Sequence, residues 1–144
     1  MGERPPLSEF LMSSPAPADD TVSVLVVDDE PVLAESCVRI ARGDGYFATS
    51  TGRGWLALEH VRQRRPEIVL VAQELPDMHG ITLLGWIRSI APEILVIMII
   101  GSGAAAGRPQ AIQAGAFDCL VKPFTATRLR ILLGRASHQA RSVK

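Results

Sequence analysis

The chain has 144 residues, one domain's worth of length, and 47% of them are apolar against 5% aromatic, so a single mostly aliphatic core is expected. Lys plus Arg equals Asp plus Glu at 15 each, which leaves no global field to steer the chain toward nucleic acid or anionic lipid. The longest apolar run, Ile94 to Ile100, is far too short to span a bilayer. Cys37 and Cys119 lack metal-ligand spacing and no signal-peptide pattern opens the chain, so a cytoplasmic protein with two reduced, buried cysteines is expected.

Residues 1–20 are rich in Pro, Ser and Ala without a period and predict a flexible leader. One domain is expected over 21–137, with 138–144 a basic tail or the start of a linker. "TVSVLVV" is a β-branched run ending at Asp28 and Asp29. "EPVLAESCVRIARGDG" predicts a helix with Pro31 in its first turn, Leu33, Cys37 and Ile40 on one face, and Gly43 and Gly45 as its stop. "YFATS" is a short second strand, and "RGWLALEHVRQRRP" a second helix with Ala57, Leu58 and Val61 inward. "EIVLVA" is the third strand, and "GITLLGWIRSIAP" a third helix on which Ile81, Leu84 and Ile87 repeat at helical spacing. "EILVIMII" is the fourth strand, followed by a Gly/Ala loop and the short helix "RPQAIQAG". "AFDCLV" is the fifth strand, and "TATRLRILLGRASHQAR" the last helix, carried by Leu129, Leu132 and Leu133. Its run of basic residues, with no acid after Lys122, reads as a solvated face.

Five strands alternating with five helices across short connections predict a doubly wound α/β fold with a parallel sheet, since the strands are apolar throughout rather than alternating. In such folds the working site lies at the carboxyl ends of the strands, where strand order reverses. At the end of the first strand, Asp28 and Asp29 are adjacent carboxylates that repel unless a cation is near, and a hard divalent ion such as Mg²⁺ is the natural partner. Glu30 reads as a helix first-turn acid. At the end of the fifth strand, Lys122 either points into the same pocket or is a surface lysine at a strand edge; a cis bond before Pro123 would help aim it.

The stretches "VLVVDDEP", "LPDMHG", "IRSIAPEILVIMI", "AIQAGAFDCLVKPF" and "LRILLGRA" resemble, in order and spacing, the receiver domain of bacterial two-component response regulators. The detail is most similar to receivers of enhancer-binding, sigma-54-type activators, and the resemblance covers roughly Val22 to Ala136. It implies a (βα)5 flavodoxin-like fold with strand order 2-1-3-4-5. It also implies that an aspartate ending the third strand takes a phosphoryl group from a sensor histidine kinase, with an acidic pair holding Mg²⁺ and a lysine pairing with the phosphoryl oxygens. By that register Asp28 and Asp29 match the metal pair and Lys122 the lysine. The acceptor position falls on Ala72, the switch hydroxyl on Ile100 and the switch aromatic on Cys119.

A methyl group cannot attack phosphorus, so no acyl phosphate forms at Ala72. With one carboxylate lost, Glu74 is the side chain expected to lean into a weak Mg²⁺ site, and Lys122 is expected to turn to Asp29, Glu74 or solvent. Asp77 reads as turn chemistry rather than a substitute acceptor. Ser102 offers a hydroxyl with nothing to bind, and His79, like His60 and His138, reads as solvated rather than ligating.

Two readings follow. In the first, the chain is not an enzyme but a pseudo-receiver that binds protein partners (a sensor kinase, an output domain or a second copy) through its fourth helix, fifth strand and last helix, with neither nucleic acid nor membrane contacted directly. In the second, it is an ordinary receiver inactivated by Asp-to-Ala replacement at position 72, although losses at Ile100 and Cys119 are not what such a replacement requires. A nucleotide-binding enzyme is opposed by the first turn, "DDEPVL", which has no glycine to admit a phosphate.

Overall fold

Short runs of Val, Ile and Leu, each closed by a polar or glycine-containing turn, pair in parallel at the centre of the molecule. The computed structural model describes residues 20–142, with the side chains of 104–106 left aside. Strands β1 (Ser23–Val27), β2 (Phe47–Thr51), β3 (Ile68–Ala72), β4 (Leu95–Ile100) and β5 (Asp118–Val121) form one parallel sheet in the order β2-β1-β3-β4-β5. Between and after them run α1 (Pro31–Gly43), α2 (Gly54–Arg64), α3 (Gly80–Ile90), α4 (Arg108–Gln113) and α5 (Ala126–Ser142), with a 3₁₀ segment, Ser102–Gly107, ahead of α4. This is the doubly wound flavodoxin-like architecture that the sequence predicts.

Side chains alternate across a strand, and that alternation divides the core in two. Val24, Val26, Ile68, Leu70, Ile97, Ile99 and Leu120 pack with Ala34 and Cys37 of α1 and with Leu129, Leu132 and Leu133 of α5. Leu25, Val27, Val69, Val71, Val96, Met98 and Ile100 pack with Ala57, Leu58 and Val61 of α2 and with Leu83, Leu84 and Ile87 of α3. Each fully buried Leu or Ile contributes roughly 1.5–3 kcal/mol, so the central strands, buried on both faces, carry much of the stability.

The helix faces differ from the periodicity in two places. On α1 the line of closest approach is Ala34, Cys37 and Ala41, while Leu33 and Ile40 flank it half-buried. Small residues let the helix lie close to the sheet, and the larger ones fill the sides. On α3, Ile81 is 42% exposed and Leu83 takes an inward position instead. The cause is Gly80, whose missing Cβ would overlap the Ala72 carbonyl oxygen. Seating Gly80 against β3 turns the next residue, about 100° further round the helix, outward. Strand β2 is the exception to apolar strands, since its "FATST" lies at the sheet edge and only Ala48 is buried. The last helix continues through Ser142, beyond residue 137, and the leader apart from Asp20 lies outside the described residues.

Candidate functional site

Strand β1 sits between β2 and β3, so the chain winds away from it in both directions and opens a cleft at the carboxyl ends of β1 and β3. A cleft of about 420 Å³ is lined there by Asp28, Asp29, Glu30, Ala72, Glu74 and Lys122. A second one, about 650 Å³, shares Asp28 and Asp29 and extends to Arg53 beside β2.

Asp28 is fixed by its backbone before its side chain acts. Its N–H donates to the Thr51 carbonyl at 3.0 Å, continuing the β1–β2 pairing. Its Oδ1 accepts the Glu30 N–H at 2.9 Å, while Oδ2 is buried without a partner. Burial pushes the carboxyl above its ordinary range, against the Glu30 N–H and the nearby Lys122 charge, which favour the ionised form. Asp29 is exposed and borders both clefts.

Lys122 does reach this cleft, held by its N–H donating to the Ile100 carbonyl at 2.8 Å, and the Lys122–Pro123 bond is cis. Its partner is a correction to expectation. Nζ lies 2.7 Å from Oε1 of Glu30, not against Asp29 or Glu74. Glu30 is therefore not a first-turn acid: it holds the N-cap place of α1 without a side-chain cap bond, and its carboxylate reaches across to β5. That hydrogen bond raises the lysine above its ordinary value, with burial opposing.

Ala72 ends β3 buried, and the loop after it is tightly closed. Gly80 N–H donates to the Gln73 carbonyl at 2.8 Å and Leu75 N–H to that of Met78 at 3.0 Å. Glu74 does not lean into the cleft with its carboxylate. Its Oε1 lies 2.7 Å from Nδ1 of His79, so His79 has a partner rather than solvent alone. Gln73 turns its Oε1 to accept the Gly101 N–H at 3.3 Å.

Ile100 and Cys119 lie on adjacent strands of one core cluster, 2% and 1% exposed. Beside Ile100 a hollow of about 170 Å³ opens between α3 and α4, floored by Met98, Ile100 and Ala111. No hydroxyl or ring stands at these two positions: Ile100 brings a branched alkyl group to the hollow, and Cys119 is a thiol buried in the core.

Two arrangements were not legible in advance. Asp77, read only as a turn residue, accepts the Gly54 N–H at 2.9 Å and the Trp55 N–H at 3.0 Å, capping α2 from the β3–α3 loop. The one sequence hint is Arg53, which occupies the N-cap place of α2 and has no suitable acceptor. Asp118, 4% exposed, meets Arg108 of α4 at 2.9 Å and Arg135 at 3.5 Å, so Arg135, of the basic run expected to be solvated, is tied to the edge strand. His60 is half-buried on α2, and burial, then Arg64, lowers its pKa.

An orphaned buried oxygen on Asp28 beside exposed Asp29 is a donor set that suits a hard cation keeping most of its water, as Mg²⁺ does. Among the described residues no three metal-ligating side chains converge, and Glu74 is engaged by His79. Also among them, no helix is long and apolar enough to cross a membrane.

Comparison with known proteins agrees with this geometry. The model of the response regulator receiver domain family matches residues 24–133. The "Probable transcriptional regulatory protein TcrX" of Mycobacterium tuberculosis is 40% identical over 118 residues, covering 79% of this chain and 50% of that protein. The nitrogen assimilation regulatory protein NtrX of Azorhizobium caulinodans is 35% identical over 115 residues, covering 78% of this chain and 25% of that protein. The chain thus spans half or less of the length of these curated relatives. The crystal structure of the receiver domain of NtrX from Brucella abortus superposes with a TM-score of 0.77 at 32% identity, covering 80% of this chain and 98% of that one. With its sheet order, the Asp28–Lys122 cleft and a match over most of its length, the chain belongs to the response regulator receiver family, a regulatory family related here to the receivers of NtrX-type activators.

Proposed function

We propose that this receiver is atypical: Ala72 stands at the phospho-acceptor position, no acyl phosphate forms there, and the domain works as a phosphorylation-independent protein-interaction module. The observation that carries the reading is the methyl group at the end of β3, facing a cleft that otherwise keeps Asp28, Asp29 and Lys122. Ile100 and Cys119 support it, because the hydroxyl and the ring that would follow a phosphoryl group are missing as well. Asp28 and Asp29 would hold Mg²⁺ weakly, and Glu74 would add a ligand only by leaving His79.

The docking surface proposed is that of α4, β5 and α5, for a sensor kinase, an output domain or a second copy. It exposes Ile112, Val121 and Ile131, one apolar side chain from each element. The names of the relatives support transcription regulation as the process served by the whole protein. Intact-mass spectrometry after incubation with acetyl phosphate and Mg²⁺ tests the reading. No gain of about 80 Da, the mass of one phosphoryl group on a carboxylate, is expected for the chain; a stoichiometric gain would overturn it. The Ala72→Asp form, run alongside, reports whether the remaining cleft still supports transfer.

A further inference from the structure

Both tryptophans of the chain are at the surface and against each other, which is unusual for so large an apolar side chain. Trp55 on α2 is 58% exposed and Trp86 on α3 is 46% exposed, with ring centroids 6.3 Å apart and planes tilted by 52°. The backbone that carries Trp55 is fixed: Asp77 accepts its main-chain N–H, and Met78 fills the space left by Gly54, where a Cβ would meet its Sδ at 2.5 Å. Rigid aromatic anchors of this kind lower the ordering cost of binding. On α2 the basic side chains outnumber the acids: Arg62, Arg64 and Arg65 follow Trp55, against Glu59, whose Oε2 is buried, while Arg53 borders the Asp28–Asp29 cleft and lies near Asp77. Arg65 pairs with Glu93, whereas Arg62 makes no ion pair among the described residues and shares a helical stripe with Trp55.

We propose that the α2–α3 face, centred on Trp55 and Trp86, is a second docking site, and that it takes an acidic polypeptide segment carrying an aromatic or aliphatic anchor. Arg62 stands about 10 Å along the helix from Trp55 on the same stripe, so a carboxylate spaced that far from an apolar anchor would meet it. The tilted rings are not a parallel stacking platform for bases. A second copy is disfavoured, since a two-fold pairing would bring like-charged arginines together, and residues 1–19 are tested as an occupant by deletion.

Because no other tryptophan exists in the chain, emission excited at the red edge reads this face alone. The probe is a random glutamate–tyrosine copolymer, with polyglutamate and polyuridylate as controls. A saturable emission shift with the copolymer is expected, reversed by high salt. Binding should weaken at least tenfold in Trp86→Ala and severalfold in Arg62→Glu, with unchanged far-ultraviolet dichroism. The proposal is overturned by no shift with the copolymer, by an equal response to polyuridylate, by emission that depends on protein concentration, or by a red shift on deleting residues 1–19.

Discussion

Glu30 and Lys122, 92 residues apart, bring carboxylate and ammonium to within 2.7 Å and so join the N-terminus of α1 to the end of β5. The pair is partly exposed, with Glu30 the wetter partner, so its worth is that of a screened surface bridge, under about 1 kcal/mol. Glu30→Gln should cost that much in urea unfolding at neutral pH and low salt. The pH sign follows from the lysine. Its folded pKa is raised, so the contribution is complete below the unfolded value of 10.5 and disappears as pH rises through the folded one. Wild type and Glu30→Gln should therefore converge in strongly alkaline buffer; a gap that persists there would mean the loss is packing rather than charge.

Placing an aspartate at position 72 adds a carboxylate beside Asp28 and Asp29, in a cleft whose lysine is already engaged by Glu30. Without a cation, Ala72→Asp should lower stability by about 1 kcal/mol or more through like-charge repulsion. Millimolar Mg²⁺ should recover it, because a ligand that binds only the folded form stabilises it. Melting temperatures with and without the ion measure both halves. If Mg²⁺ stabilises the variant no more than wild type, Asp28 and Asp29 do not form a usable metal pair.

Asp77 caps a helix that begins 23 residues before it. Asp77→Ala should cost about 1 kcal/mol, the usual worth of an N-cap acceptor, and loosen the loop against α2. Burial acts to raise this carboxyl, but the N–H groups of Trp55 and Gly54 outweigh it and the pKa is lowered. A depressed carboxyl contributes fully above its unfolded value, 3.8, and the contribution is lost as pH falls through the folded value. The difference between wild type and Asp77→Ala should hold at neutral pH and close in acid. Hydrogen exchange at Gly54 and Trp55 provides an independent check, since both amides should exchange faster in the variant.

Two glycines separate hard from soft obstruction. A Cβ at Gly80 would overlap the Ala72 carbonyl oxygen, which is backbone and cannot move without shifting β3. At Gly54 it would meet the thioether of Met78, the far end of a flexible side chain. Gly80→Ala is expected to cost about 3 kcal/mol and Gly54→Ala about 1 kcal/mol, on the scale of overpacking in cores. Equal losses in denaturant melts would contradict this assignment.

Periodicity and strand composition made the architecture legible, because a parallel sheet covered on both faces needs continuous apolar strands and Val24–Val27 or Val96–Ile100 admit little else. The strand-end acids Asp28 and Asp29 were legible for the same reason, since topology fixes where strand ends meet, whereas Lys122, open between pocket and surface on its own residues, was placed by the family resemblance. Partnerships were not. Glu30 finds Lys122, Glu74 finds His79 and Asp77 finds α2 through loop geometry that no local spacing encodes. Ile81 was misplaced for a related reason: the close seat of Gly80 on β3 overrode the helical repeat. The tryptophan pair gave no signal, because residues 55 and 86 meet only once two helices lie side by side.

Ala72 has a further consequence for time. A covalent bond at the end of β3 would give a signal a lifetime of its own, set by the rate of its hydrolysis. A methyl group has no such bond to make or break, and Ile100 and Cys119 bring neither hydroxyl nor ring to read one. If the domain works without phosphorylation, as proposed, it keeps no clock, and how long it stays engaged depends on the concentrations of its partners and the rates at which they leave.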